Sequence, residues 1–174
     1  MHRVSIMSGI ESSTPATMSF RRLIDYDKCI GCGVCEEVCR FLHENRPLIL
    51  LYRVAEDVDR PISCFHCARA PCIAVCPTNA LSYDSQGAVT VSIAKCIGCT
   101  SCIAACPFGI PELLPIGHIT KCDLCKKLRA ENLEPGCIAT CPSDAILWGS
   151  SESITKMMRE KHLKRIVKAY SLYI

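Results

Sequence analysis

The chain has 174 residues, a formal charge of +3 and a hydrophobic fraction of 49% that counts sixteen cysteines, with aromatics at only 6%. That length allows one compact unit or two small ones, and the thin aliphatic content points to an organising centre other than side-chain packing. No apolar run approaches the roughly 20 residues that span a bilayer, and no secretory apolar region is present.

Residues 1–18 are rich in Ser and Thr and lack periodicity, so they read as an N-terminal extension that trails or wraps over a partner surface. Arg21 and Arg22 invite comparison with a twin-arginine export signal. The chain after them runs directly into a cysteine loop instead of an apolar stretch, and the comparison fails. Phe20–Asp25 reads as a strand. The first cysteine group follows, Cys29-x2-Cys32-x2-Cys35-x3-Cys39. Within 41–56 the apolar run Leu48–Val54 predicts an extra strand or packing segment.

The second group is Cys64-x2-Cys67-x4-Cys72-x3-Cys76. Ala80–Tyr83 and Ala88–Val91 then flank Asp84–Gly87, which predicts a hairpin. The third group is Cys96-x2-Cys99-x2-Cys102-x3-Cys106, and the fourth is Cys122-x2-Cys125-x11-Cys137-x3-Cys141. Ala145–Gly149 reads as the strand that matches Phe20–Asp25. Glu152–Tyr170 has no internal Gly or Pro and reads as a helix. Its apolar residues do not form one stripe: Ile154, Met157 and Met158 share a face roughly opposite Leu163, Ile166, Val167 and Tyr170. Such a helix either breaks near Arg159–His162 or touches two bodies. Residues 151–174 carry a balance of +4, which leaves −1 for the rest of the polypeptide. The basic tail is a docking element or an ordinary solvated face.

The four groups use every cysteine. Contiguous C-x2-C-x2-C runs deliver three thiolates from one tight loop, and the fourth, three residues on, leaves on a helical turn. In two-cluster ferredoxins that fourth cysteine serves the other cluster. Disulfides are a poor alternative, because closing neighbours at two-residue gaps is geometrically strained. Zinc sites use paired C-x2-C units across a spacer of roughly 12–20 residues, and only the fourth group comes near that pattern. Sixteen thiolates in four quartets match four cubane [4Fe–4S] clusters, without which the chain is not expected to fold.

The repeats define the layout. Cys76–Leu81 and Cys141–Ile146 are copies of one loop exit, and Lys28–Cys32 and Lys95–Cys99 are copies of one entrance. They predict an α+β chain of two pseudo-symmetric bacterial-type two-cluster ferredoxin modules plus a C-terminal helix. The outer, discontinuous module takes 19–56 and 112–150, the inner one takes 57–111, and 151–174 is the basic helical tail.

Four oxidised clusters with their thiolates contribute about −8, which takes the holoprotein from +3 to near −5. A nucleic-acid partner therefore has little support. His66 lies between two ligands and reads as packing beside a cluster or bonding near its sulfur, not as an acid or base. Trp148 reads as packing. Lys28, Lys95 and Lys121 each precede a first ligand, where they either offset cluster charge or simply face solvent.

The pattern, with Phe65–Cys67 and Ala70–Cys72 in the second group, resembles the four-cluster electron-transfer subunits of molybdenum and tungsten oxidoreductases and of some hydrogenases and carbon monoxide dehydrogenases. The resemblance covers about residues 20–149. It implies crossed ligation: Cys29, Cys32 and Cys35 with Cys141; Cys122, Cys125 and Cys137 with Cys39; Cys64, Cys67 and Cys72 with Cys106; Cys96, Cys99 and Cys102 with Cys76. It also implies a non-catalytic subunit that relays single electrons between a larger catalytic subunit and a second redox partner. The sequence departs from some relatives in having few inserted loops and lacking a C-terminal transmembrane anchor, which favours a cytoplasmic complex with no membrane span of its own. A free polyferredoxin carrier and a self-assembling filament are the alternatives.

Overall fold

The computed structural model describes residues 20–171, so the extension read at 1–18 lies outside the described residues. Strand β1 (Phe20–Ile24) pairs antiparallel with β8 (Ile146–Ser150), Phe20 opposite Ser150 and Ile24 opposite Ile146. Nearly the whole chain lies between them, as the matched loop exits predict. Helix α1 (Val34–Leu42) packs on α5 (Gly136–Ala139) beside this ladder. Gly136 is what allows the approach: a Cβ there would meet Leu42 Cδ1 at 2.4 Å. Ile24, Cys35, Cys39, Ile49, Cys137, Ile138 and Ile146 form the first buried core.

The same plan recurs in the middle of the chain. Strand β4 (Leu81–Tyr83) pairs with β5 (Val89–Val91). Asp84 Oδ1 closes the turn by accepting from the Gln86 and Ala88 N–H groups at 2.9 Å each, the local bonding that makes Asp a turn residue. Helix α2 (Pro71–Ala74) packs on α3 (Ser101–Ala105). Pro71 at the first helical position loses nothing, since its missing N–H would be unpaired there anyway. Ala70, Cys72, Leu81, Val89, Cys102 and Ile119 form the second core.

Two further hairpins cross the borders drawn from the repeats. β2 (Ile49–Ala55) pairs with β3 (Val58–Ser63) through a turn with Asp57 at φ 57°. The segment read as a lone extra strand at 41–56 thus has its partner on the far side of residue 57. Likewise β6 (Glu112–Leu113) pairs with β7 (Ile119–Thr120), and Ile119, inside 112–150, packs in the second core. Repeats in the cysteine loops carry no information about where these edge strands ladder.

The two halves meet across a polar seam. Arg21 Nη1 donates to Gly87 O at 3.1 Å, Arg22 Nη2 to Cys64 O at 2.9 Å and Tyr26 Oη to Pro61 O at 3.1 Å. From α4 (Lys126–Ala130), Arg129 pairs with Asp84 at 2.6 Å, with side chains only 4% and 12% exposed.

Helix α6 (Ser151–Tyr170) is unbroken and is capped by Ser150 Oγ, which accepts from Ser153 N at 3.1 Å. It lies on β1 and β8 and buries Ile154. Beyond that residue ion pairs replace apolar contact: Lys161 Nζ reaches Asp25 at 2.5 Å and Asp27 at 2.7 Å, and Arg165 reaches Asp27 at 2.9 Å. The helix neither breaks near Arg159–His162 nor buries its second apolar face; Leu163, Ile166, Val167 and Tyr170 are exposed. Among the described residues no helix is long and apolar enough to cross a membrane.

Candidate metal-cluster sites

Each cysteine loop is shaped by residues in the left-handed region. In the first loop Gly31 and Gly33 have φ 71° and 77°, and a Cβ on Gly31 would meet Asp59 O of β3 at 2.8 Å. In the third loop Gly98 has φ 65°, and a Cβ would meet Gly117 O in the β6–β7 turn at 2.2 Å. The two added hairpins therefore do equivalent work, each covering one C-x2-C-x2-C loop at a glycine. The second and fourth groups turn without glycine, through His66 at φ 47° and through Leu124 and Cys125 at φ 60° and 52°.

Backbone N–H groups point at the sulfurs. Each exit cysteine accepts one: Cys39 from Leu48 at 3.2 Å, Cys76 from Ala80 at 3.3 Å, Cys106 from Ile110 at 3.5 Å and Cys141 from Ala145 at 3.3 Å. The first ligands Cys64, Cys96 and Cys122 accept from His66, Ile119 and Leu124 at 3.4, 3.5 and 3.4 Å. Such donors favour thiolate over thiol. Burial pushes the Cys76 and Cys141 thiols up, but these N–H groups and the Thr78 and Ser143 hydroxyls outweigh it and hold both below the usual thiol range.

Deeper thiols behave in the opposite way. Burial, reinforced by neighbouring thiols, pushes Cys35 and Cys125 up to about 12 and Cys137 up to about 11. Crowded buried thiols give up their protons when a metal charge replaces them, so the donor set fits metal-bound thiolate. Among the described residues no three Cys, His, Asp or Glu side chains converge on a point as a single-ion site would require.

The structure brings the groups together across the sequence. Cys76 lines one cavity with Cys96, Cys99 and Cys102, closed by Thr78, Leu81 and Ile119. Cys72 interacts with Cys64 and Cys106. Cys137 interacts with Cys122 and Cys39, and Cys125 with Cys137 and Cys122. Cys35 lies near Cys29 and Cys32, and Cys141 packs against the core that contains Cys35. Cys67 packs against the second core. Thiols of different groups also interact electrostatically: Cys35 with Cys137, Cys122 with Cys64, and Cys72 with Cys102.

His66 is 1% exposed, and its Nδ1 accepts from Val89 N at 3.0 Å, which leaves the ring proton on Nε2. Burial and the nearby Lys121, Arg22 and Arg129 push its pKa down to about 2, so the ring is neutral. Trp148 stacks on Phe20 with ring centroids 5.0 Å apart. Lys28 and Lys95 face solvent, whereas Lys121 is buried and donates to the Val89 carbonyl and to Cys122 O at 2.9 Å. Sequence reasoning missed Arg22, His43 and Arg129. His43 Nδ1 contacts Cys39 O at 3.0 Å, and its Nε2 lies 3.5 Å from Asp123 Oδ1. The Asp123 contact, then Cys39, push its pKa up to about 10 and place a cation beside a ligand. No periodicity marks such residues, because their burial depends on partners far away in sequence.

Comparison with known proteins finds iron–sulfur relatives. The family described as "4Fe-4S dicluster domain" matches residues 58–151, and "4Fe-4S binding domain" matches residues 23–41. The chain is similar to the thiosulfate reductase electron transfer subunit of Salmonella typhi, at 34% identity over 89% of each of the two proteins. It is also similar to the B subunit of the polysulfide reductase of Wolinella succinogenes, at 34% identity over 79% of its own length and 81% of the relative. The B subunit of the anaerobic dimethyl sulfoxide reductase of Escherichia coli is 32% identical, over 80% of the present sequence and 78% of the relative.

Proposed function

This protein belongs to the 4Fe–4S dicluster ferredoxin family, and we propose that it passes single electrons through four [4Fe–4S] clusters between the catalytic subunit of an oxidoreductase and a second redox partner. The observation that carries this is that thiol groups interact electrostatically from quartet to quartet, at Cys35 and Cys137, Cys122 and Cys64, and Cys72 and Cys102, which we read as one line of centres. Along that line the holders are Cys29, Cys32, Cys35 and Cys141; then Cys122, Cys125, Cys137 and Cys39; then Cys64, Cys67, Cys72 and Cys106; then Cys96, Cys99, Cys102 and Cys76. Support for crossing comes from Cys76, which lines one cavity with Cys96, Cys99 and Cys102 of the third loop.

The outer module takes 19–56 and 112–150, the inner one takes 57–111, and β3 and the β6–β7 hairpin are lent across the borders. The clusters supply one-electron chemistry when bound. The polypeptide's own residues set spacing, exclude water and direct N–H groups at sulfur. It is a non-catalytic subunit: His66 is neutral and sealed, and its Nδ1 is occupied by Val89 N–H. Relatives named as parts of thiosulfate, polysulfide and dimethyl sulfoxide reductases support a larger partner, which we take to carry molybdenum or tungsten. We place it in the cytoplasm, a reducing setting that keeps sixteen cysteines out of disulfides until clusters take them.

The test is anaerobic purification of the native complex with iron, sulfide, molybdenum and tungsten analysis. About sixteen irons per chain and a co-purifying large subunit with one of the two metals are expected. About eight irons sinks the four-cluster reading. A monomer with no large subunit replaces it with a free carrier, and filaments in negative stain replace it with a self-assembled wire.

A further inference from the structure

The seam between the two halves contains a charge whose bonding is incomplete. Arg22, on β1, is 6% exposed. Its Nη2 donates to Cys64 O at 2.9 Å, while Nε and Nη1 make no well-formed hydrogen bond and have the Cys137 thiol as a neighbouring acceptor. The other buried cations of the seam are occupied. Lys121 donates to two carbonyls, and Arg129 bonds Leu124 O, Asp123 O, Gln86 and Asp84. A guanidinium sealed from water with the N–H donors of two nitrogens idle is strongly unfavourable unless anionic acceptors face it.

The side chains around it identify those acceptors. The Cys137 side chain is within hydrogen-bonding reach of the guanidinium, Cys122 and Cys64 also interact with it, and Cys64 accepts from Nη2 through its carbonyl. Cys122 and Cys137 belong to one central centre of the relay and Cys64 to the other. Arg22 therefore stands where the two halves of the relay meet, with its unused donors available to sulfur. Arg21, its neighbour, points elsewhere and bonds Gly87 O.

We propose that Arg22 is a positioning residue for electron transfer between the two central clusters, donating Nε–H and Nη1–H to the sulfur of the cluster held by Cys122, Cys125, Cys137 and Cys39. Its fixed positive charge stabilises the electron on that cluster more than on the terminal ones. An electron that enters at either end, oxidising the donor partner and reducing one cluster at a time, then finds its most favourable site in the middle. Charge-assisted N–H···S bonds and net charge near the cluster are the levers by which a protein raises such a potential. The inference rests on the four-cluster reading above.

The test is a redox titration of the full holoprotein, followed by electron paramagnetic resonance, for the parent, Arg22→Met and Arg22→Lys. Arg22→Met should lower one midpoint by at least a tenfold change in the reduction equilibrium, about 59 mV, and leave the terminal clusters in place. Arg22→Lys keeps the charge and should recover part of the shift. Four unchanged midpoints in an Arg22→Met protein that retains about sixteen irons overturn the proposal. If Arg22→Met does not hold its clusters, the parent decides: protein grown with 15N-arginine should show a guanidinium 15N coupling to a reduced cluster, and its absence overturns the proposal. Fewer than four clusters in the parent instead overturns the functional reading on which this stands.

Discussion

Arg129→Met tests whether the two halves are held together by their polar seam. The Arg129–Asp84 pair is 2.6 Å long and joins α4 to the β4–β5 turn, with 4% and 12% of its side chains exposed. Removing one partner of a buried pair costs roughly 3–5 kcal/mol. Asp84 Oδ1 keeps two backbone donors, from Gln86 and Ala88 at 2.9 Å, while Oδ2, Leu124 O and Asp123 O lose theirs, so at least the lower end applies, about 3 kcal/mol. For a chain of this length that is a fall of roughly 6–12 °C in apparent melting midpoint. Cluster loss makes unfolding irreversible, so the assay is cluster absorbance in anaerobic melts at one fixed scan rate. Adding Asp84→Asn should lower the midpoint little further, because its bond to Arg129 is already lost. Burial raises the Asp84 carboxyl, but Arg129 and the N–H donors hold its net pKa below the usual range. The stabilisation is therefore present above about pH 3.9 and is lost as pH falls through the lower folded value. A single variant that melts within about 2 °C of the parent, with iron content intact, refutes the polar-seam account.

Other outcomes follow from the loops. Gly98→Ala places a Cβ 2.2 Å from Gly117 O, and overpacking with left-handed strain should cost about 2–5 kcal/mol. Gly109→Ala has φ 62° and nothing within 4 Å, so melting should show only the strain, about 1–2 kcal/mol. Cys76→Ser and Cys96→Ser should each lower iron from about sixteen to about twelve per chain, and the double variant should stay at about twelve. A double variant with about eight irons would mean that Cys76 serves its own loop. Lys161→Met removes the contacts to Asp25 and Asp27. Hydrogen exchange should rise in α6 while the β1–β8 ladder keeps its protection; unchanged exchange in α6 would show that the pairs do not hold it.

Much of the fold was legible because its signals are local. The Asp84–Gly87 turn predicts the β4–β5 hairpin through bonds within five residues. The repeated loop exits at Cys76 and Cys141 predict that β1 finds β8, although residues 25–145 lie between them. The added hairpins were less legible. β3 contains Pro61 and few alternating apolar residues, and β6 and β7 are two residues each, too short to leave a period. The unbroken α6 was also open in the sequence, since its apolar residues switch faces midway and ion pairs to Asp25 and Asp27 take over the docking.

The sequence by itself determined the sixteen thiols and their quartet spacing, because a tight loop fixes three sulfurs through nearest neighbours alone. It also determined the chemistry, since only a multi-metal centre uses so many thiols so close together. The tertiary structure decided which thiols interact across the halves, Cys122 with Cys64, and brought Cys76 to the third loop. It also decided which charges are sealed inside. Arg21 and Arg22 are adjacent and identical in type, yet one reaches the half-buried turn at Gly87 and the other is buried beside Cys64. Successive residues on a strand point to opposite faces, and the face turned inward is set by what the distant half of the chain packs against it.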